Sequence, residues 1–251
     1  IANNHTVQHG VEGFNETVET LRSHGILPMG LNGQPLQTIQ INGERLGFLS
    51  ASDVPDNTNK AQISYQRFDE DFKALVKRSV RMVDHLFVVL HWGLESSTAP
   101  MEHQKEYASE LANAGIRGVI GQHPHLFYPV WQEINTVVAP SLGNFIFDLC
   151  WDQRLINSGI LDLTISQSKI SWKVWPVELT ENGATPKISG AAQEPSSEVS
   201  VVSLFDLGES MAGEQTRKLK YFLGHLHKGN ALLNAKFIMR KLFPIFKSKT
   251  R

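Results

Sequence analysis

Between Glu44 and His125, apolar runs of strand length alternate with amphipathic stretches of helix length. No other feature restricts the fold as much. The strand-like runs are "ERLGFLSAS", "LFVVLHWG" and "IRGVIGQHPH". Between them, "DEDFKALVKRSVRMVDH" and "MEHQKEYASELANAG" carry helical periodicity, and the first opens on acids that suit the positive end of a helix dipole. Strand–helix–strand order predicts parallel strands joined by crossover helices, an α/β arrangement. "LFVVLHWG" is apolar at consecutive positions, as a strand covered on both faces must be.

The flanking segments extend this pattern. "GVEGFNETVETLRSHGI" predicts a helix with Val11, Phe14, Val18 and Leu21 on one face and Gly25 at its end. "LQTIQINGERLGFLSAS" predicts a hairpin about Asn42-Gly43, the dipeptide of a type I′ turn. Residues 53–67 read as a polar loop. From Leu126 onward the pattern is strand-rich, with "FYPVWQEI", "TVVAPSLGNFIF", "SGILDLTIS" and "KISWKVWPVEL". Residues 181–205 read as a loop or linker, and residues 206–246 as one or two helices broken near Gly229-Asn230.

Charge divides the chain. Residues 1–214 hold 14 basic and 25 acidic residues, whereas the ten basic residues after Glu214 meet no acid. A basic, apolar segment of this kind can dock on the acidic body, lie on an anionic membrane surface or contact an acidic polymer. Aromatic residues are not interleaved as in a base-stacking platform, so nucleic acid is not an expected partner. No apolar run approaches the roughly eighteen residues of a membrane-spanning helix. Cys150 is the one cysteine, which excludes an internal disulfide and a cysteine-based zinc site.

Three polar motifs adjoin apolar runs: "ANNH" at 2–5, "VVLHWG" at 88–93 and "VIGQHPH" at 119–125. In open α/β sheets, ligands gather beyond the carboxyl ends of the strands, where such loops would converge. His123 and His125, one residue apart on a turn held by Gly121 and Pro124, can present two imidazoles to neighbouring points. Neutral imidazole is a common ligand for divalent metals. Each motif alone also has an ordinary reading: a polar loop, a hydrogen-bonded strand end, or Asn-His turn chemistry. Together they favour a metal crevice.

The stretch "HWGLESSTAPMEHQKEYASELANAGIRGVIGQHPHLFYPVWQEINTVVAPSLGNFIFD" resembles the capsule-synthesis (poly-gamma-glutamate, CapA-type) protein family of the calcineurin-like metallophosphoesterase superfamily. "ANNHTVQHGVEGFNETVETLRSHGI" and "INGERLGFLSAS" are similar to its earlier segments, so the likeness covers residues 1–180. It implies an α+β four-layer fold, a β-sandwich flanked by helices, followed by the 181–205 linker and the basic helical segment 206–251. It also implies one or two Mn, Fe or Zn ions. Asn4 resembles the amide ligand, and His5 the histidine that assists the leaving group or contacts substrate. His91 resembles the next ligand, and His123 with His125 the pair that serves one metal each. Glu95, Asn144 and Asp148 match positions near the site.

The superfamily's first acidic ligands precede the Asn-His motif, so the resemblance implies that the N-terminal strands are missing here. One metal site then keeps Asn4, His91 and His123, and the other only His125; Asp53, Asp148 and Asp152 are not expected to substitute. The chain is thus expected to be a piece of a longer protein or a shortened member. The implied function is a metal-dependent phosphoesterase-like hydrolase of cell-envelope polymer metabolism, acting on an anionic polymer or phosphoester. Two ions can activate a bridging water, and an imidazole can supply the leaving-group proton. The alternative is a non-catalytic or weakly catalytic partner in synthesis, export or anchoring of an anionic envelope polymer.

Overall fold

A computed structural model gives the fold and describes residues 1–56, 64–148, 150–166, 169–196 and 200–208, with positions 216, 220 and 223. In chain order the elements begin with α1 (Gly10–Ser23), β1 (Gln37–Ile41), β2 (Glu44–Ser52), α2 (Glu70–Ser79) and β3 (His85–His91). Next come α3 (Glu102–Asn113), β4 (Gly118–Gln122), β5 (Val130–Glu133) and β6 (Thr136–Ala139). The last are α4 (Gln153–Ile156), β7 (Asn157–Ile165), β8 (Ile170–Thr180), β9 (Thr185–Ile188) and β10 (Val201–Val202).

The alternating segment builds the centre of a seven-stranded sheet of order β1-β2-β3-β4-β6-β5-β10. β2, β3 and β4 run parallel, as the crossover helices α2 and α3 require, and β6 pairs parallel with β4 after the chain passes through β5. α2 begins at Asp69, whose carboxylate accepts from Phe72 N at 2.9 Å, with Glu70 and Asp71 in the first turn. β1 and β2 form the expected hairpin; Asn42 and Gly43 have φ of 52° and 85°, the signs a type I′ turn needs.

β3 is apolar from Leu86 to Leu90 because both of its faces are covered. Leu86, Val88 and Leu90 pack with Phe72 and Val76 of α2 and Tyr107 and Leu111 of α3. Phe87 faces the other way, into a cluster with Val137, Ile170, Trp172 and Val174. That second face belongs to a three-stranded sheet, β7-β8-β9. Leu161, Leu163 and Ile165 of β7 are register partners of Val174, Trp172 and Ile170 and turn the same way. The two sheets therefore pack face to face, with α2 and α3 on the opposite side of the larger one. This is the two-sheet, mixed α/β core expected.

Three local expectations change. The strand expected over "TVVAPSLGNFIF" ends at Ala139, because Pro140 lacks an N–H to continue the ladder. Residues 181–205, read as a loop, contain β9, paired with β8, and β10, which closes the larger sheet against β5. The helices expected over 206–246 lie almost wholly outside the described residues.

Candidate metal centre

Register puts the motif loops on one rim. Ser52, His91 and Gln122 are partners across β2, β3 and β4, so the residues after them leave the sheet side by side. That rim is the carboxyl end of the parallel strands. β2 leads into Asp53, whose N–H donates to His91 O at 2.9 Å. β4 leads into His123 and His125, and β6 into the segment that carries Asn144. From "ANNH" onward, residues 4–9 form a turn before α1, in which His5 N donates to Asn3 Oδ1 at 2.8 Å.

The structure brings the motif side chains together. His91 Nε2 lies 2.9 Å from Oδ1 of the buried Asn4. The rings of His91 and His123 lie 4.7 Å apart, and those of His123 and His125 6.2 Å apart. His125 Nδ1 sits 2.7 Å from Asn144 Oδ1, and Phe147 stacks on the same ring at 4.9 Å. His5 is exposed at the rim, and so is Glu95. Asp148 is exposed further along the 140–148 segment, its carbonyl accepting from Cys150 N at 3.1 Å.

His123 and His125 have φ of 103° and 65°, a left-handed backbone that L residues rarely adopt. Such conformations cost about 1–3 kcal/mol each and persist where the surroundings over-determine them, most often at functional sites. Burial, reinforced by His123, His125, His5 and the Ile1 amino group, pushes the His91 imidazolium down to about 3. Burial also lowers His123, with Glu95 and Asp53 pulling in the opposite direction. At neutral pH these rings are uncharged, and the neutral ring is the form that ligates a metal.

The donor chemistry fits a divalent ion: two lowered imidazoles, a third beside them, and an amide oxygen. Two imidazoles bound through nitrogen at roughly 2.0–2.1 Å can bring their rings as close as those of His91 and His123. Among the described residues, no three His, Cys, Asp or Glu side chains already meet in an ion-holding group. Negative charge comes from the rim, through Glu95 and Asp53. Asp53 also pairs with His103 at 3.6 Å. The sequence offers no reason to favour Asp53; its place follows from the β2–β3 register alone. A cavity of about 730 Å³ lies elsewhere, lined by α2 and the β1–β2 hairpin, and holds none of the motif residues.

Gly183 also escapes sequence reasoning. It lies in the β8–β9 turn of the smaller sheet, and its carbonyl accepts from Phe147 N at 3.0 Å. Its φ is +86°, and a Cβ there would sit 1.7 Å from Phe147 O. Gly183→Ala is expected to push Phe147 off His125 while the rest of the fold persists. Local opening should become easier by about 2–3 kcal/mol from backbone strain and overpacking. Native-state hydrogen exchange would read this as roughly 30–150-fold faster exchange at Phe147; unchanged protection there would refute it.

Residues 1–149 match the bacterial capsule synthesis protein family PGA_cap. Two curated relatives are similar over part of their length. The "PGA biosynthesis protein CapA" of Bacillus subtilis (strain 168) is 26% identical over 196 residues, covering 74% of this chain and 51% of that protein. The "Capsule biosynthesis protein CapA" of Bacillus anthracis is 27% identical over 166 residues, covering 60% of this chain and 40% of that protein. The chain thus spans about half the length of the curated relatives it matches, or less. Among solved structures, the NAD nucleotidase of Haemophilus influenzae is similar at 13% identity and a TM-score of 0.35, covering 88% of this chain and 40% of that one.

Proposed function

Since this chain belongs to the bacterial capsule synthesis protein family, we propose that it serves the making of an anionic cell-envelope polymer through a divalent-metal hydrolase centre at the sheet rim. The observation that carries this reading is the gathering of Asn4, His91, His123 and His125 beyond aligned parallel strands, with His91 held neutral. Asn4 Oδ1 and the imidazoles would hold Mn, Fe or Zn. Such an ion supplies Lewis acidity and lowers the pKa of water bound to it. His5, exposed at the rim, would donate a proton to a departing oxygen. Glu95 and Asp53 lend the uncharged donors negative charge. The substrate class is a phosphoester or an anionic polymer.

Metal content of the purified protein, followed by hydrolysis of a chromogenic phosphodiester with Mn²⁺, Zn²⁺ or Fe²⁺, tests this. Bound metal and turnover are expected in the wild type, with both lost in His123→Ala. Protein that retains none of the three ions and hydrolyses nothing would overturn the reading. A second reading, a weakly catalytic or non-catalytic partner in synthesis, export or anchoring of the polymer, draws on the ten basic residues that follow Glu214 without an acid. It predicts retained metal without turnover.

A further inference from the structure

We propose that Asn144 is a positioning residue that locks His125 in one tautomer, with the proton on Nδ1 and the lone pair on Nε2. The inference rests on the metal-centre reading for its functional meaning, but its structural content stands on the hydrogen bonds alone.

Asn144 is 6% exposed, so both ends of its amide need partners within the protein. Nδ2 lies 2.9 Å from Leu155 O. A backbone carbonyl only accepts, so the NH₂ end of the amide must face Leu155. The amide is thereby oriented, and Oδ1 must face His125 Nδ1 at 2.7 Å. An amide oxygen is likewise only an acceptor, so His125 Nδ1 must carry a hydrogen. In the neutral ring, Nε2 is then the unprotonated nitrogen, and it hydrogen-bonds to none of the described residues.

His91 shows the contrast. Its Nε2, not its Nδ1, lies 2.9 Å from an asparagine oxygen, Asn4 Oδ1, and no second hydrogen bond among the described residues orients the Asn4 amide. The two asparagines thus meet opposite ring nitrogens of their histidines. Asn144 presents His125 with its Nε2 lone pair already free. Partners of this kind, bonded to the ring nitrogen away from the metal, fix ligand orientation and raise basicity.

The elements that hold Asn144 explain how the lock is built. Leu155 is fully buried in α4, and Ser158 at the start of β7 donates to Leu142 O at 2.9 Å, so the smaller sheet anchors the 140–148 segment on both sides of Asn144. Phe147 covers one face of the His125 ring. The tautomer of a rim histidine is therefore set from the second sheet.

The test is ¹⁵N NMR of imidazole-labelled, metal-free protein near about pH 8, where the neutral tautomers have distinct nitrogen shifts. Wild type is expected to show His125 with Nδ1–H and unprotonated Nε2. Asn144→Leu is expected to move His125 toward a mixture with Nε2–H, and to weaken Zn²⁺ binding about 10–100-fold. Asn144→Asp, whose carboxylate still accepts from Nδ1–H, is expected to restore the tautomer; a merely structural role would not be rescued in this way. Nε2–H in the wild type overturns the proposal, as does an unchanged tautomer in Asn144→Leu. If that variant does not fold, the wild-type and Asn144→Asp spectra decide. Wild-type protein that binds no Zn²⁺ but shows Nδ1–H supports the lock while removing the metal reading.

Discussion

Gly121→Ala is expected to lower stability by about 3–5 kcal/mol, through overpacking and the loss of a buried hydrogen bond. A Cβ at Gly121 would lie 1.9 Å from Pro140 O and 2.4 Å from Trp92 Nε1. Neither neighbour can yield cheaply. Trp92 is 1% exposed, and its indole N–H donates to Pro140 O at 3.0 Å, tying the end of β3 to the segment after β6. The added methyl would separate that pair and displace the backbone two residues before His123. In a chain of this length, a loss of that size should lower the melting temperature by roughly 10 °C. Urea unfolding followed by tryptophan fluorescence measures it. Trp92→Phe, which removes the donor alone, should cost about 1–3 kcal/mol. A Gly121→Ala protein within about 1 kcal/mol of wild type would show that the close approach does not bind the rim together.

Acid is the second large effect. The His91 imidazolium falls from the ordinary 6.5 to about 3 in the folded, metal-free protein. Burial is the main cause, and His123, His125, His5 and the Ile1 amino group all resist a further positive charge there. Between these two values the unfolded chain binds a proton at His91 that the folded chain refuses. Stability contributed by the neutral ring is therefore complete above about 6.5 and is lost as pH falls toward 3, with little further change below. The ceiling for this single group is about 5 kcal/mol, and His123, also lowered by burial, acts in the same direction. Urea unfolding at steps between about pH 7 and 4 should show falling stability, with a shallower slope in His91→Gln. Equal slopes in the two proteins would remove His91 as the cause.

Much of this arrangement is legible in the order of residue types. Apolar runs at 46–51, 86–90 and 116–121, separated by amphipathic stretches, leave few alternatives to parallel strands with crossover helices. His91 and His123 stand directly beyond two of these runs, so their meeting follows from parallel pairing. Asn42-Gly43 likewise specifies its turn, because few other dipeptides tolerate two positive φ angles. Other features are silent. Asp53 lies in what reads as a polar loop, and nothing near it in the chain points to His91. "TVVAPSLGNFIF" keeps the composition of a strand beyond Pro140, although the chain leaves the ladder there and frees Asn144 to turn toward His125. Gly183 looks like any turn glycine, and only the packing of the smaller sheet puts Phe147 against it.

By itself, the sequence determined the α/β class, the hairpin and the identity of the histidines that could gather, because periodicity and turn chemistry are local properties. The tertiary structure alone decided which groups meet those histidines: Asp53 through strand register, Asn144 and Phe147 through the second sheet, and Pro140 O through Trp92. The physical reason is separation along the chain. Asn4 and His91 are 87 residues apart, and no local preference encodes a contact of that range. Sheet order and register do, by bringing the ends of distant strands onto one rim.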